Sequence, residues 1–193
     1  MGNFIIPNNF IQRGDNKLVE EAEHPVNFAD LRVYDAMGSN LPSTSSGDDL
    51  ALVGGTFGSA SPVLQTADAK NTTASYYARF LYTLPPEYVA GETVKLRVRC
   101  SAKTTVASSA MTIDVQAYEA NGSGGIGSDL CTTAAQTCNS LTAANKDFSL
   151  TSTGLQAGDV LDVRLVIAIT DSATATAVIG QIGKVSFLLD TRG

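Results

Sequence analysis

The 193-residue sequence has no tryptophan, one histidine and three cysteines. The histidine, His24, precedes Pro25 in an N-terminal stretch without regular periodicity. A Ser-His-Asp or Cys-His apparatus, in contrast, needs an imidazole that packed neighbours hold against the nucleophile. The cysteines have no histidine near them and fall short of the four ligands of a structural zinc site. We therefore expect a protein that is not an enzyme and that uses no metal and no other cofactor.

Basic residues and long apolar runs are also scarce. The sequence has 13 lysines and arginines against 19 acidic residues, a formal net charge of −6, and most of the acidic excess lies in the first half of the chain. We expect no nucleic-acid partner, because such binding requires a basic surface. No run reaches the ~18 apolar residues of a membrane span. The opening MGNFIIPNNF lacks the basic and long apolar parts of a signal peptide, so we expect no membrane partner and synthesis in a cytoplasm.

The sequence does contain a regular alternation of apolar and polar residues from Tyr76 onward. A period of two is typical of half-buried strands. The predicted core-facing residues are Tyr76, Ala78, Phe80, Tyr82 and Leu84; Val94, Leu96, Val98 and Cys100; Met111, Ile113, Val115 and Ala117; and Leu161, Val163, Leu165, Ile167 and Ile169. A last strand near residues 177–190 contains Gly180 and Gly183, which predict a bulge or bend.

Weaker candidates near residues 31–34 and 50–53 bring the total to roughly eight strands. The short spacing between turns predicts an all-β fold, an antiparallel β-sandwich of the jelly-roll type. Residues 28–193 form this domain, and residues 1–27 form an extended N-terminal arm. The apolar residues of the arm are Phe4, Ile5, Ile6, Phe10 and Ile11. Unless the arm is a disordered tail, these residues pack on the domain or dock into a neighbouring subunit.

A basic row, Lys95, Arg97 and Arg99, lies on the outer face of one predicted strand. If this strand forms a hairpin with the next, Asp114 and Gln116 face the arginines across the ladder. The row therefore either pairs within the sheet or meets an acidic surface of a partner.

Gly122, Gly124 and Gly127 match the spacing G-x-G-x-x-G of dinucleotide-binding folds. That motif works only between a strand and a helix whose N-terminus binds the pyrophosphate. The Thr- and Ser-rich residues that follow do not favour such a helix, so we interpret the segment as a connecting loop. Cys131 and Cys138 come next, and the sequence leaves open whether they form a disulfide or remain free thiols.

Two further groups of residues suggest carbohydrate chemistry. Asp114, Asp159 and Asp162 are the candidates for a glycosidase carboxylate pair, but their positions on charged strand faces and in a turn favour solvated or ion-paired side chains. A cluster of tyrosines offers aromatic faces on which a sugar could stack. These tyrosines are Tyr76, Tyr77 and Tyr82. The alternative function is therefore a carbohydrate- or receptor-binding β-sandwich module, and the resemblance described next implies association with a tail or fibre.

The segments FLYTLPPEYVAGETVKLRVRC and GLQAGDVLDVRLVIAITDSATATAVIGQIGKVSFLLD resemble small β-sandwich virion proteins of tailed bacteriophages, the head decoration or cement proteins. The resemblance covers about residues 76–190. It implies a non-enzymatic protein that binds the major capsid protein on the outer capsid surface of the virion, as a homo-oligomer and often a trimer. Terminal arms clamp adjacent capsid subunits in such proteins, which makes the apolar residues of the arm the expected contacts.

Overall fold

The structure is a computed structural model that describes residues 11–12, 18–104, 109–172 and 177–192. Two β-sheets pack face to face in these ranges, and every pair of adjacent strands in them is antiparallel. The predicted all-β antiparallel sandwich is therefore confirmed. No helix in the same ranges has the length and apolar character needed to cross a membrane.

The first sheet has seven strands. They are β1 (Ile11–Gln12), β2 (Leu18–Pro25), β5 (Ala51–Val53), β6 (Val63–Gln65), β8 (Val94–Ala102), β11 (Ala144–Ser149) and β13 (Gly180–Arg192). The long strand β13 joins the sheet together, because it pairs with β2, β6 and β8. Its register shifts between Ile182 and Lys184, which places a bulge at Gly183 as the sequence predicts.

The second sheet has six strands in the order β10-β9-β12-β7-β3-β4. They are β3 (Arg32–Val33), β4 (Ala36–Asn40), β7 (Thr73–Thr83), β9 (Ser109–Ala120), β10 (Gln136–Thr137) and β12 (Val160–Asp171). A single 3-10 turn among the described residues, Phe28–Asp30, precedes β3. The strand count exceeds the predicted eight partly because β1, β6 and β10, with two or three residues each, are too short to show alternation. The longer strands β2 and β4 were not predicted either, because their residues do not alternate between apolar and polar.

The core between the sheets follows the predicted alternation. In β12, Leu161, Val163, Leu165, Ile167 and Ile169 are all fully buried. The predicted core-facing residues of β8 and β9 are buried too. Because neighbouring side chains of a strand point to opposite faces, the residues between them face solvent. This is how the outer face of the second sheet receives its polar and aromatic residues.

The predicted hairpin between β8 and β9 is wrong, because β8 belongs to the first sheet and β9 to the second. Alternation fixes which face of a strand is buried but not which strand is its neighbour. The basic row consequently finds other partners within its own sheet. Lys95 pairs with Glu21 at 3.5 Å, and Arg97 with Asp147 at 2.7 Å.

The N-terminal region differs from the predicted arm. The interpretation above places residues 18–25 in the arm, whereas the structure places them in β2, paired with β13. The segment lacks apolar alternation because three of its eight strand residues are glutamates and the strand lies near the edge of the sheet. His24 lies in this strand, opposite Phe187, and its Nε2 is buried without a hydrogen-bond partner among the described residues.

Candidate functional site

An open groove of about 500 Å³ lies on the outer face of the second sheet. The residues that line it are Tyr34, Arg79, Gln116, Tyr118, Ile126, Asp162 and Arg164. Three adjacent long strands, β7, β12 and β9, supply most of them. Its volume is in the range of small-molecule binding sites.

The strand register fixes the floor of the groove. Arg164 on β12 lies opposite Gln116 on β9 and Arg79 on β7. In the next row along β12, Asp162 lies opposite Tyr118. Their common direction follows from the sequence, because the intervening residue, Val163, is fully buried in the core.

Arg79 and Asp162 form a bidentate ion pair in this floor. Arg79 Nε donates to Asp162 Oδ1 at 2.7 Å, and Nη2 donates to Oδ2. A third donor, Nη1, reaches the Tyr34 carbonyl oxygen at 3.3 Å. The carboxylate raises the pKa of Arg79. Because Asp162 is only 9% exposed, the pair is a fixed part of the floor.

Arg164 is held by a different set of neighbours. Its Nη2 donates to Oε1 of Gln116, and its guanidinium carbon lies 5.1 Å from the Tyr77 ring centroid and 6.0 Å from that of Tyr34. The two rings themselves are 4.5 Å apart. A guanidinium over aromatic faces is a cation–π arrangement, which restricts its position. Tyr77 thus supports Arg164 from a position outside the groove lining.

Two tyrosines form opposite walls of the groove. Tyr118 projects from β9, and Tyr34 directly follows β3. These strands are separated by β12 and β7, so their backbones lie about 14 Å apart at the usual strand spacing. The Tyr34 ring reaches inward, and its centroid lies 4.5 Å from that of Tyr77 on β7. The Tyr34 hydroxyl donates a hydrogen bond to the Asp48 carboxylate, which raises the pKa of Tyr34. This bond fixes the orientation of the ring.

The glycine-rich loop after β9 contributes an apolar side chain, Ile126, to the groove. Ile126 is 58% exposed and its backbone forms a bridge to Ala120, which folds the loop back beside the sheet. Gly122 and Gly124 have φ values of +71° and +82°, a region that favours glycine. The glycines therefore shape a tight surface loop, and no helix follows them in the described residues, in agreement with the interpretation from the sequence.

The predicted tyrosine platform is only partly formed. Tyr76 is buried in the core, and Tyr82 stacks on Phe187 with the ring centroids 4.1 Å apart. Only Tyr77 faces outward, and it meets Tyr34. Sequence reasoning missed Tyr118 as a groove residue, although its outward position follows from the alternation in β9.

The three candidate catalytic carboxylates are each engaged by the protein. Asp162 forms the ion pair with Arg79, and Asp114 Oδ1 accepts a hydrogen bond from the Val115 amide at 2.9 Å. Asp159 Oδ2 accepts from the Gln156 amide at 2.7 Å. These contacts agree with the expected solvated or ion-paired state. Among the described residues, no group of three or more His, Cys, Asp or Glu side chains could hold a metal ion.

The cysteines are all free thiols in the structure. Cys138 lies beside Cys100 and not beside Cys131, and a thiol hydrogen bond joins the two buried residues. This bond lowers the pKa of Cys100 and raises that of Cys138. Burial raises the pKa of Cys131.

The predicted partner-binding residues of the arm lie almost entirely outside the described residues. This applies to Phe4, Ile5, Ile6 and Phe10. Ile11 belongs to β1, whose backbone pairs with β2. In the predicted electrostatic row, Arg99 donates a hydrogen bond to the neutral side chain of Asn145, at 3.5 Å.

No protein-family model matches the sequence, and none of the curated proteins matches it. Among solved structures, the chain is similar to the CBM22-1 xylan-binding domain of Xyn10C from Paenibacillus barcinonensis, with 10% identity and a TM-score of 0.43 over 91% of this chain and 97% of that one. It is also similar to arabinose-bound MgGH51 α-L-arabinofuranosidase, with 14% identity and a TM-score of 0.38 over 86% of this chain and 23% of that one. A third similarity is to the Family 16 Carbohydrate Binding Module-2, with 13% identity and a TM-score of 0.24 over 80% and 89% of the two chains. At these identities and TM-scores the comparisons describe a β-sandwich architecture and identify no function for this chain.

Proposed function

We propose that the chain is a carbohydrate-binding β-sandwich module that binds a saccharide in the groove of the second sheet and performs no reaction on it. One observation carries the proposal: two tyrosine walls, Tyr34 and Tyr118, flank a floor of guanidinium, carboxylate and amide groups. A sugar ring presents both apolar C–H faces and hydroxyl groups, so it needs aromatic surface together with fixed polar partners.

The floor is suited to hydroxyl groups because its donors and acceptors are already oriented. Arg79 and Asp162 hold each other in place, and the Gln116 amide holds Arg164, so binding does not have to order them. Such preorganisation reduces the entropy that a ligand must overcome. The open shape of the groove also suits an extended chain of sugars, which can continue beyond its ends.

A glycan array followed by calorimetric titration of the best ligands tests this proposal. We expect saccharide binding that Tyr118→Ala weakens about tenfold or more, since an aromatic contact in a binding site contributes on the order of 1–2 kcal/mol. Phe57→Ala is the matched control, because Phe57 is a fully exposed aromatic residue outside the groove. Absence of binding across the array, or equal losses in both variants, contradicts the proposal.

The second candidate is the capsid decoration implied by the resemblance to phage cement proteins, with the major capsid protein and further copies of this chain as partners. A deletion in the N-terminal region tests this candidate, with capsid occupancy as the measurement. Because Leu18–Pro25 is a strand of the sandwich, a deletion that reaches residue 20 damages the domain as well as the arm. Deleting residues 1–10 removes Phe4, Ile5, Ile6 and Phe10 and leaves β1 and β2 intact. Capsid occupancy unchanged by this deletion contradicts a clamping arm.

A further inference from the structure

Three arginines form a row across the outer face of the second sheet. Arg32 on β3 is the register partner of Arg79 on β7, and Arg79 is the partner of Arg164 on β12. Like charges directly opposite each other across strands destabilise a sheet. The row therefore lowers the stability of the fold unless each guanidinium has a compensating partner.

Two of the three arginines are compensated within the protein. Arg79 has the bidentate partner Asp162. Arg32 Nη1 turns away from the groove and donates to the carbonyl oxygens of Ala29 and Leu31. Arg79 therefore has a counter-charge, whereas Arg32 has neutral hydrogen-bond acceptors and lies outside the groove lining.

Arg164 lines the groove, unlike Arg32, and among the described residues lacks the carboxylate partner that Arg79 has. Its hydrogen-bond acceptor is the neutral amide of Gln116, and the remaining contacts are the rings of Tyr77 and Tyr34. In the part of the chain that the structure describes, no carboxylate lies within ion-pair distance of this guanidinium. A guanidinium carries five N–H donors in a planar fork that matches a carboxylate.

The charge of the groove lining is consistent with an anionic ligand. It comprises two guanidinium groups and one carboxylate, so its net charge is +1 in a chain whose net charge is −6. The single carboxylate, Asp162, is neutralised by Arg79. Asp35, Asp48, Asp49 and Asp114 lie nearby but do not line the groove. Asp48 accepts a hydrogen bond from Tyr34, and Asp114 accepts one from the Val115 amide.

Building on the proposed function, we infer that the saccharide is acidic and that the carboxylate of a uronic acid residue binds the Arg164 guanidinium. The Tyr77 ring holds the guanidinium from the other side, so Tyr77 is a positioning residue. A charged pair of this kind forms shorter and stronger hydrogen bonds than a hydroxyl group does. The ligand anion then supplies the counter-charge that the arginine row lacks.

The test compares uronic acid polysaccharides with their carboxyl-reduced forms, which keep the sugar configuration and replace the carboxylate by an alcohol. We expect the acidic forms to bind about tenfold or more tightly in low salt, which corresponds to about 1.4 kcal/mol. Arg164→Gln is expected to remove this preference, so that the variant binds the acidic and the carboxyl-reduced forms with affinities that agree within about twofold. Arg99→Gln, which removes an exposed positive charge from the other sheet, is expected to keep the preference.

The outcomes separate this inference from the proposed function. Binding of neutral or carboxyl-reduced polysaccharides as tightly as of the acidic forms overturns the inference and leaves the proposed function standing. Binding of dextran sulfate but of no uronic acid polymer also overturns it, because the recognised anion is then a sulfate ester. Binding of no saccharide at all overturns both.

Discussion

The guanidinium carbon of Arg164 lies 5.1 Å from the centroid of the Tyr77 ring, although the register partner of Tyr77 is Val166. Arg164 therefore reaches diagonally from its own row to the next, a distance that long side chains span on a sheet face. The register partners of Arg164 are the polar residues Gln116 and Arg79, and the diagonal contact with the Tyr77 ring fixes the direction of its side chain.

The contact predicts an energetic coupling between the two residues. In a double-mutant cycle with Tyr77→Leu and Arg164→Gln, we expect a coupling energy of about 0.5–1 kcal/mol, the usual size of a partly exposed cation–π contact. Urea unfolding of the four proteins measures it. The pair Tyr77→Leu and Arg99→Gln, whose members lie on different sheets, serves as the reference and is expected to be additive. A coupling no larger than in the reference pair contradicts the stacking role of Tyr77.

The two glycines of β13 are expected to differ in their tolerance of a methyl group. A Cβ at Gly180 would lie 2.6 Å from Met111 Sδ and 3.0 Å from Ile167 Cγ2, so Gly180→Ala forces the core apart. We expect a loss of about 1–3 kcal/mol in the free energy of unfolding. At Gly183 nothing lies within 4 Å, so Gly183→Ala is the matched control and is expected to change stability by less than about 0.5 kcal/mol. Similar losses in both variants contradict the close packing at Gly180.

The ion pair between Arg97 and Asp147 gives the stability a dependence on pH. The Arg97 guanidinium lowers the pKa of Asp147 below its ordinary value of 3.8. A lowered carboxyl pKa means that the folded state binds the proton more weakly, so the contribution is present above pH 3.8 and is lost as the pH falls through the folded-state pKa. Because both side chains are about a third exposed, we expect less than about 1 kcal/mol.

Asp147→Asn provides the measurement. The wild type is expected to be more stable than this variant at pH 7, and the difference is expected to shrink below pH 3.8 and to disappear once the pH has fallen through the lowered pKa of Asp147. Chemical unfolding across this range gives both curves. A difference that stays constant with pH shows that the substitution acts through packing and not through charge.

Thiol labelling is expected to distinguish the cysteines. Cys100 and Cys138 are buried against each other, whereas Cys131 is partly exposed. With a disulfide-exchange reagent at pH 8, we expect at most one thiol per native chain to react within minutes and all three to react in denaturant. Cys131→Ser is expected to abolish the native reaction. Rapid labelling of a second thiol in native protein contradicts the burial of the Cys100–Cys138 pair.

Alternation in the sequence was sufficient to predict the sandwich and its core. The buried residues of β8, β9 and β12 follow directly from it, since a period of two assigns each side chain to a face. Alternation does not determine which strands are neighbours, because pairing depends on contacts between distant segments. For this reason the sequence suggested a hairpin in which Asp114 and Gln116 face the arginines, whereas the partner of Arg97 is Asp147 on β11.

The same limit explains which parts of the groove could be predicted. Tyr77 and Tyr118 both alternate with predicted core-facing residues, so their outward position was predictable. Their relation to Tyr34 was not, because Tyr34 follows a two-residue strand with no alternation of its own. The contribution of Ile126 depends on how the glycine-rich loop folds back, and glycines permit many such conformations.

Strand β13 has a consequence for how the chain is assembled on the ribosome. Ser186 in this strand donates a hydrogen bond to Glu23, 163 positions earlier. Until β13 has been synthesised, β2 and β8 share no neighbour, and their unpaired edges stay open to other nascent chains. The groove-bearing sheet, whose three long strands are complete by residue 171, can form first. The seven-stranded sheet then forms in one late step. A chaperone protects the chain most if it covers the unpaired strand edges before that step.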